Sequence, residues 1–302
     1  MHVFERALIK SHAVDLQDAI PDFVGVVDLS EPFAMETENS NMVNGPVEVQ
    51  GVRAGDDIAI HIEEIEMVPP IIAPGGGPFD GLPGGELRLE DGYLVFPDRF
   101  RFRPRATLGN VGILPSNETV KEIFRWTKSH GYTTRYWRRW MNDPRMKHCH
   151  QDCPSLGPGS ILHIKAQVDG AGVCMADFHA YMGAGESQCN GVSCAASVRA
   201  RVERSEGWLV DWPLVETEYE LMVCVCHDKY GMAVKEAFRA CREVVAARAG
   251  CTPEEAHSVV ASVMDVQNHA IFFLGEGYLP GTEEKASCDL SVSAVIPKNI
   301  FL

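Results

Sequence analysis

The chain has 302 residues, of which 45% are hydrophobic and 23% charged, and this balance excludes a disordered or fibrous protein. Its formal net charge of −15 argues against nucleic acid and anionic membranes as partners, because both select basic surfaces. Apolar runs stay below the roughly 20 residues of a membrane span, and the N-terminus lacks the hydrophobic region of a signal peptide. The sequence therefore predicts a cytoplasmic protein that acts on a small molecule.

The first hundred residues are predicted to be β-rich. The clearest strand covers residues 57–66, where Ile58, Ile60 and Ile62 alternate with residues that face the other way. Proline and glycine then dominate residues 69–85, which predicts a long loop or flap, and loops of that length are often functional.

The middle of the chain is less regular. Residues 116–129 have helical spacing, and the arginines and aromatic residues of 135–140 follow them. In a basic protein this second stretch would indicate RNA binding. At a net charge of −15 we interpret it as a helix or loop packed by its aromatic side chains.

Strand-like alternation returns after residue 160, and the helices are concentrated late. Residues 231–250 form an amphipathic pattern with glycine at both ends. A second helix is predicted to begin at Thr252, because Pro253 suits the first helical position and Glu255 completes a capping box. A last strand is predicted over residues 289–296.

This order of elements predicts an α+β fold, mainly antiparallel β with two late helices and a sandwich-like or barrel-like core. We divide the chain into an N-terminal β-rich part (1–115), a helical and basic-aromatic segment (116–150) and a β-rich part with two helices (151–302). The first and last parts are expected to pack as one globular unit.

Ten cysteines leave two alternatives open. An exported protein could pair all of them in disulfides, whereas in a reducing cytosol they serve as small buried hydrophobic residues. Several lie in apolar stretches, such as Cys224 and Cys226. We therefore predict free thiols.

The densest polar cluster contains two pairs with the same spacing, His150 with Asp152 and Asp177 with His179. On a strand, residues two apart face the same side, so each pair could hold one cation. Imidazole and carboxylate ligands suit zinc. Glu186 follows a Gly-x-Gly turn, which can bring a carboxylate close to a metal. The alternative is that each residue is an ordinary solvated side chain, since Asp-x-His arises often by chance.

The stretch from Asp152 to Glu186 resembles the hallmark of the acetamidase/formamidase family. In that family an Asn-x-Asp segment, Gly-Pro-Gly-Ser, a strand, Gly-Asp-x-His-Ala and Gly-Asp-Gly-Glu follow one another. The matching residues here are Asp152, Gly159-Ser160, Asp177, His179-Ala180 and Gly183-Ala184-Gly185-Glu186. Further matches in the same order are Met35-Glu36-Thr37-Glu38, Asn44-Gly45-Pro46, a Gly-x-x-Gly-x-x-Pro loop at residues 109–115, and Val295-Ile296-Pro297-Lys298. The likeness covers most of the chain.

The resemblance implies hydrolysis of a small linear amide, such as formamide or acetamide, to a carboxylate and ammonia. A divalent metal, with zinc as the expected ion, would activate a water molecule for attack on the carbonyl. A homo-oligomer, a dimer, is also expected. The predicted metal ligands are Asp152, Asp177 and His179, with His150 added because of its spacing from Asp152. The predicted catalytic residues are Glu186 as proton shuttle with Asp177 and His179, and the predicted substrate-binding residues are His148, Glu36 and Asn44.

Departures from the family pattern leave the substrate open. His148-Cys149-His150 replaces Gly-Gly-Asn, so a cyclic or substituted amide is the enzymatic alternative. His150 could add a metal ligand and His148 could contact the substrate, or both could simply pack beneath the loop. Two other classes are a non-catalytic metal-dependent binding protein, which the presence of Glu186 disfavours, and a thiol enzyme using Cys149 or Cys174.

Overall fold

The computed structural model describes most of the chain, in several separate ranges. The described residues are 1–6, 20, 22–38, 43–75, 84–96, 99–119, 121, 149–150, 152–186, 191–207, 210–227, 230–270 and 290–301. The basic-aromatic stretch at residues 135–140 and His148 lie outside them. So do the side chains of Cys149 and His150.

Strands dominate the described residues of both halves. Those of the first half are β1 (His2–Phe4), β2 (Gly25–Asp28), β3 (Phe33–Thr37), β4 (Asn44–Gln50), β5 (Asp57–Ala73), β6 (Gly85–Glu90), β7 (Tyr93–Phe96), β8 (Phe100–Phe102) and β9 (Thr107–Ile113). Those that follow are β10 (Cys149–His150), β11 (Ile161–Lys165), β12 (Val173–Tyr181), β13 (Val192–Arg204), β14 (Leu214–Glu216), β15 (Glu220–His227), β16 (Asp265–Ala270) and β17 (Leu290–Pro297). Helices among the described residues include α1 (Tyr230–Ala249), α2 (Pro253–Val263) and the 3-10 turn Lys298–Ile300. Residues 117–119 are also helical, and most of the helix predicted over residues 116–129 lies outside the described residues.

The long strand β5, in the first part of the chain, pairs with two strands of the last part. It pairs antiparallel with β13 from Arg204↔Ile58 to Ser193↔Ile72, and with β11 from Lys165↔Asp57 to Ile161↔His61. Strands of residues 1–115 and 151–302 therefore share one sheet. Most pairings are antiparallel, with β1–β3 and β2–β4 parallel. The predicted α+β class with two late helices is confirmed, and the described strands form a mixed sheet that does not close into a barrel.

The prediction of a loop beginning at residue 69 is wrong for its first part, because β5 continues through Pro69 and Pro70 to Ala73. The two prolines lie where the pairing of β5 with β13 shifts register, between Ala195↔Val68 and Ser193↔Ile72. A bulge tolerates proline because ladder hydrogen bonds are already missing there. Beyond it, Ile71 is buried and pairs with Leu87 of β6, which extends the strand.

The predicted end of α1 and the predicted start of α2 are confirmed, and α1 begins at Tyr230, one residue before the predicted Gly231. Thr252 is the N-cap of α2, its hydroxyl accepts a hydrogen bond from the Glu255 amide at 3.2 Å, and the Glu255 carboxylate accepts one from the Thr252 amide at 2.7 Å. This is the predicted capping box. After α1, Gly250 adopts φ 66°, a left-handed conformation that glycine reaches without strain. No helix in the described part of the chain is long and apolar enough to cross a membrane.

Strand β15 separates two hydrophobic cores. Leu221, Val223 and Val225 pack with the two helices, whereas Met222 and Cys224 face the core between the strands. This alternation is that of a strand buried on both faces. It places the Cys224 thiol in the same core as Cys153, next to the candidate site described below.

The cysteines whose side chains the structure describes are free thiols, in agreement with the prediction from composition. They are Cys153, Cys174, Cys194, Cys224, Cys226, Cys241 and Cys251.

Candidate metal centre

The predicted Asp-x-His pair lies on β12. The His179 side chain is buried, and its Nε2 atom is 3.8 Å from Oδ1 of Asp177. The pair is not arranged as two neighbours on one face of a regular strand, however. Asp177 has φ 57°, and the pairing of β12 with β9 passes from Ala176↔Asn110 to Phe178↔Leu108 across it. The proximity of the two side chains therefore depends on a local irregularity of β12.

Three predicted carboxylate residues share this unusual backbone. Asp152, Asp177 and Glu186 have φ values of 43°, 57° and 41°, in the left-handed region that residues with a Cβ rarely adopt. Each such residue costs on the order of 1–3 kcal/mol, and such residues cluster at functional sites. The shared strain supports a site built from these three residues.

Asp152 reaches the site from the segment that follows β10. Its amide donates a hydrogen bond to the Gly109 carbonyl at 3.1 Å, and its side chain is completely buried. The motif at residues 109–115, implied by the resemblance to be a loop, starts instead within β9. Strand β9 thus lies between the segments that carry Asp152 and Asp177.

Glu186 is delivered by the predicted glycine turn. Its amide donates to the Gly183 carbonyl at 3.0 Å, and Gly185 has φ 96°. The Gly185 amide donates to the His269 carbonyl at 3.1 Å, and Gly185 pairs with Ala270 at the end of β16. The loop that carries Glu186 is therefore anchored to β16.

These elements bring three potential ligands together. The ligand atoms of Asp152, His179 and Glu186 all lie within 4.8 Å of one another. Two carboxylates and an imidazole are donors that suit a divalent cation such as zinc. Nε2 of His179 is the ring nitrogen that lies 3.8 Å from the Asp177 carboxylate, and Nδ1 is buried without a hydrogen-bond partner among the described residues. The residues present fit a metal ion.

Of the other predicted site residues, two have side chains outside the described structure and two make hydrogen bonds between backbone segments. His150 pairs through its backbone with Asn110, and its side chain, like all of His148, lies outside the described structure. The Glu36 carboxylate accepts a hydrogen bond from the Arg6 amide at 3.0 Å. Asn44 is fully buried, and its amide group donates to the carbonyls of Phe4 at 2.9 Å and Glu36 at 2.8 Å. That arrangement is typical of a tie between strands, and substrate binding by Glu36 and Asn44 stays a prediction.

Two glycines make room for the site: Gly109, the first residue of the motif at residues 109–115, and Gly191, which sequence reasoning did not select. A Cβ atom at Gly109 would lie 2.6 Å from Asp152 Oδ1 and 2.7 Å from Asp177 Oδ2. A Cβ at Gly191 would lie 2.6 Å from Cδ2 of His179. For Gly191 the signal in the sequence is a glycine beside a strand, which marks a close approach of other atoms.

Gly109→Ala is therefore expected to lower turnover in the predicted amide hydrolysis at least about tenfold, because even small displacements of catalytic groups are costly. Its backbone is outside the left-handed region, so alanine itself is tolerated and the displaced groups are the two carboxylates. The measurement is kcat and bound metal, with thermal unfolding as a check on folding. Gly85→Ala, which would meet no atom within 4 Å, is the matched control. Equal turnover in both variants would contradict this placement of the carboxylates.

A separate group of hydrogen-bonded side chains consists of Ser205, His163 and Glu216. Nδ1 of His163 is 2.8 Å from the Ser205 hydroxyl, and its Nε2 is 3.0 Å from the Glu216 carboxylate. In serine hydrolases the serine contacts Nε2 and the acid contacts Nδ1, the reverse of this order. Hydrogen bonding from His163 and Lys298 lowers the pKa of Glu216 to about 2. We assign this group a structural role, holding β11 and β14 to the C-terminal turn.

A thiol enzyme based on Cys174 is disfavoured. Complete burial raises the pKa of its thiol to about 12, so the nucleophilic thiolate is scarce at neutral pH. Cys149, the other cysteine considered for this role, has its side chain outside the described structure.

Comparison with solved structures identifies the fold. The acetamidase of Bacillus halodurans matches with a TM-score of 0.73 at 18% identity, over 94% of both chains. A predicted acetamidase/formamidase of Thermoanaerobacter tengcongensis gives 0.72 at 18% identity, over 93% of this chain and 91% of that one. A γ-lactamase from Delftia acidovorans gives 0.53 at 16% identity, over 100% and 93%. No family model and no curated protein sequence matches the chain. The fold that the acetamidase/formamidase resemblance implied is confirmed.

Proposed function

We propose that the protein is a metal-dependent hydrolase that cleaves a small linear amide to a carboxylate and ammonia. The observation that carries the proposal is the convergence of Asp152, His179 and Glu186 within 4.8 Å, in a fold shared with solved acetamidases. Fold alone does not fix an activity, so the argument depends on the chemistry of these side chains.

The charges of the site favour a bound cation. Asp152, Asp177 and Glu186 bring three carboxylates close to one another, and like charges in a partly buried site repel. A divalent cation offsets that repulsion. We propose Zn²⁺, held by Asp152 and His179 with Asp177 as a further ligand, and His150 stays the predicted fourth.

Each residue then has a stated task. A bound divalent ion would supply Lewis-acid polarisation of the amide carbonyl and would lower the pKa of a water molecule. Glu186 accepts the proton of the attacking water at its carboxylate and passes it to the leaving nitrogen. Asp152 and Asp177 keep the site negatively charged, so that it retains the cation. Cytoplasmic location and a homodimer stay predictions of the sequence.

A cyclic amide is the second candidate substrate. Two observations favour it: the γ-lactamase shares the fold at a TM-score of 0.53, and two histidines replace small family residues at positions 148 and 150. Both candidates use the same bond cleavage and the same residues.

The test is a substrate panel on untagged protein with known metal content. Formamide and acetamide are followed by ammonia release, and a five-membered lactam by the appearance of a primary amine. Turnover of a linear amide with the lactam unchanged supports the proposal, and preferential ring opening supports the second candidate. A metal-loaded protein that turns over none of the three would overturn the hydrolase assignment in favour of a binding protein.

A further inference from the structure

A second group of potential metal ligands lies in the core beside the first. The Sγ atoms of Cys153 and Cys224 and a ring nitrogen of His269 all lie within 4.8 Å of one another. All three side chains are at least 98% buried. They come from three separate segments: the residue after Asp152, the middle of β15 and the end of β16. Long-range pairing of the strands is therefore what assembles the group.

The chemistry of this group is that of a thiophilic cation site. Two thiolates and an imidazole are a known donor set for zinc, whereas carboxylates and carbonyls suit harder ions. Two thiolates also neutralise a divalent cation, which lowers the cost of burying it. Nε2 of His269 lies 2.9 Å from the Ser293 hydroxyl, and metal-bound histidines typically hold their second nitrogen in such a hydrogen bond. On that basis Nδ1 is the nitrogen that would bind the ion.

Buried cysteine is usually an inert hydrophobic residue, and this chain has examples. Burial alone raises the pKa of Cys241 to about 12, and that residue lies on α1 in the helical core. Cys153 and Cys224 differ from it, because each has the other thiol and an imidazole nitrogen within 4.8 Å.

Two residues of this group are linked to the backbone segments that carry Asp152 and Glu186. Cys153 directly follows Asp152, and the carbonyl of His269 accepts the hydrogen bond of Gly185, the residue before Glu186. Asp152 and Glu186 both have strained left-handed backbones, and such conformations persist only where the surroundings fix them. An ion between Cys153 and His269 would fix both segments at once.

We propose that Cys153, Cys224 and His269 form a second metal site, which takes Zn²⁺ and holds the segments that carry Asp152 and Glu186. The proposal goes beyond amide hydrolysis and does not depend on it, since the site would fill in a protein with any activity.

The test compares Cys224→Ser with Cys241→Ser by metal analysis of untagged protein. Cys224 is chosen over Cys153 because it is remote in sequence from Asp152, and Cys241 is an equally buried thiol outside the group. We expect the wild type and Cys241→Ser to hold the same amount of zinc, and Cys224→Ser to hold one ion per chain fewer. Equal zinc content in all three proteins would overturn the proposal.

A second measurement covers the case in which Cys224→Ser fails to fold. Wild-type protein loaded with Co²⁺ should show the intense near-ultraviolet absorption of cobalt–thiolate bonds, and Asp152→Asn should retain it. Cobalt spectra without that absorption would contradict the site. So would a thiol count in denaturant without reductant that falls two short of the chain's ten cysteines, since the pair would then be a disulfide. Neither measurement uses amide turnover, so the outcome is separate from that of the proposed function.

Discussion

Glu186→Gln is expected to lower kcat for the preferred amide at least about a hundredfold, the usual scale for loss of a general base. Glutamine keeps the shape of the side chain and tolerates the same turn, but it cannot accept the proton of the attacking water. Metal content should stay at the wild-type value, because the proposed ligands Asp152 and His179 are unchanged. The measurement is kcat together with metal analysis on the same sample.

The matched control is Glu86→Gln, the same change at an exposed residue of β6, which should leave kcat unchanged. Two results would reassign Glu186. Loss of metal along with activity would make it a ligand, as its distance from Asp152 and His179 also permits. Turnover near that of the wild type would remove it from the proton-transfer step.

Local patterns in the sequence correctly predicted the parts of strands and helices that depend on residues close together in the chain. The alternation of Ile58, Ile60 and Ile62 predicts the first part of β5, and the capping box at Thr252 predicts the start of α2. Both signals arise within a few residues, where periodicity and capping operate. The same patterns did not predict that β5 continues through Pro69. That continuation depends on a register shift against β13, which is more than a hundred residues away in the sequence.

The site shows the same division between local and long-range information. Motif order selected Asp152, Asp177, His179 and Glu186, and the structure places them close together. Periodicity assumed a regular strand and could not anticipate the left-handed backbones. Nor could it find the clearance at Gly109, which exists only where β9 passes between two other segments.

The cysteine and histidine group was missed for a related reason. Cys153, Cys224 and His269 show no ligand spacing in the sequence, and a buried cysteine is ordinarily interpreted as a hydrophobic residue. Their convergence follows from the packing of β15 and β16 against the segment after β10, which no local pattern encodes.

Asp152→Asn is expected to lose the ion of the first site and with it about a thousandfold or more in turnover. Lewis-acid stabilisation contributes several kcal/mol to such reactions, and each tenfold in rate corresponds to about 1.4 kcal/mol. Asparagine matches aspartate in shape and also adopts left-handed backbone readily, so φ 43° is retained. The effect should therefore come from the lost charge and ligand oxygen. It is measured as kcat and as metal content after dialysis.

The unfolding temperature of the metal-free protein distinguishes a variant that has lost activity from one that has lost its fold. Removing one of three neighbouring carboxylates relieves repulsion in the metal-free protein, so metal-free Asp152→Asn should unfold at or above the temperature of metal-free wild type. Asp91→Asn is the matched control, because Asp91 has φ 49° in an exposed turn and the same substitution there should change neither turnover nor metal content. A destabilised Asp152→Asn would assign Asp152 a structural role instead. An active variant with its metal retained would remove Asp152 from the proposed ligands.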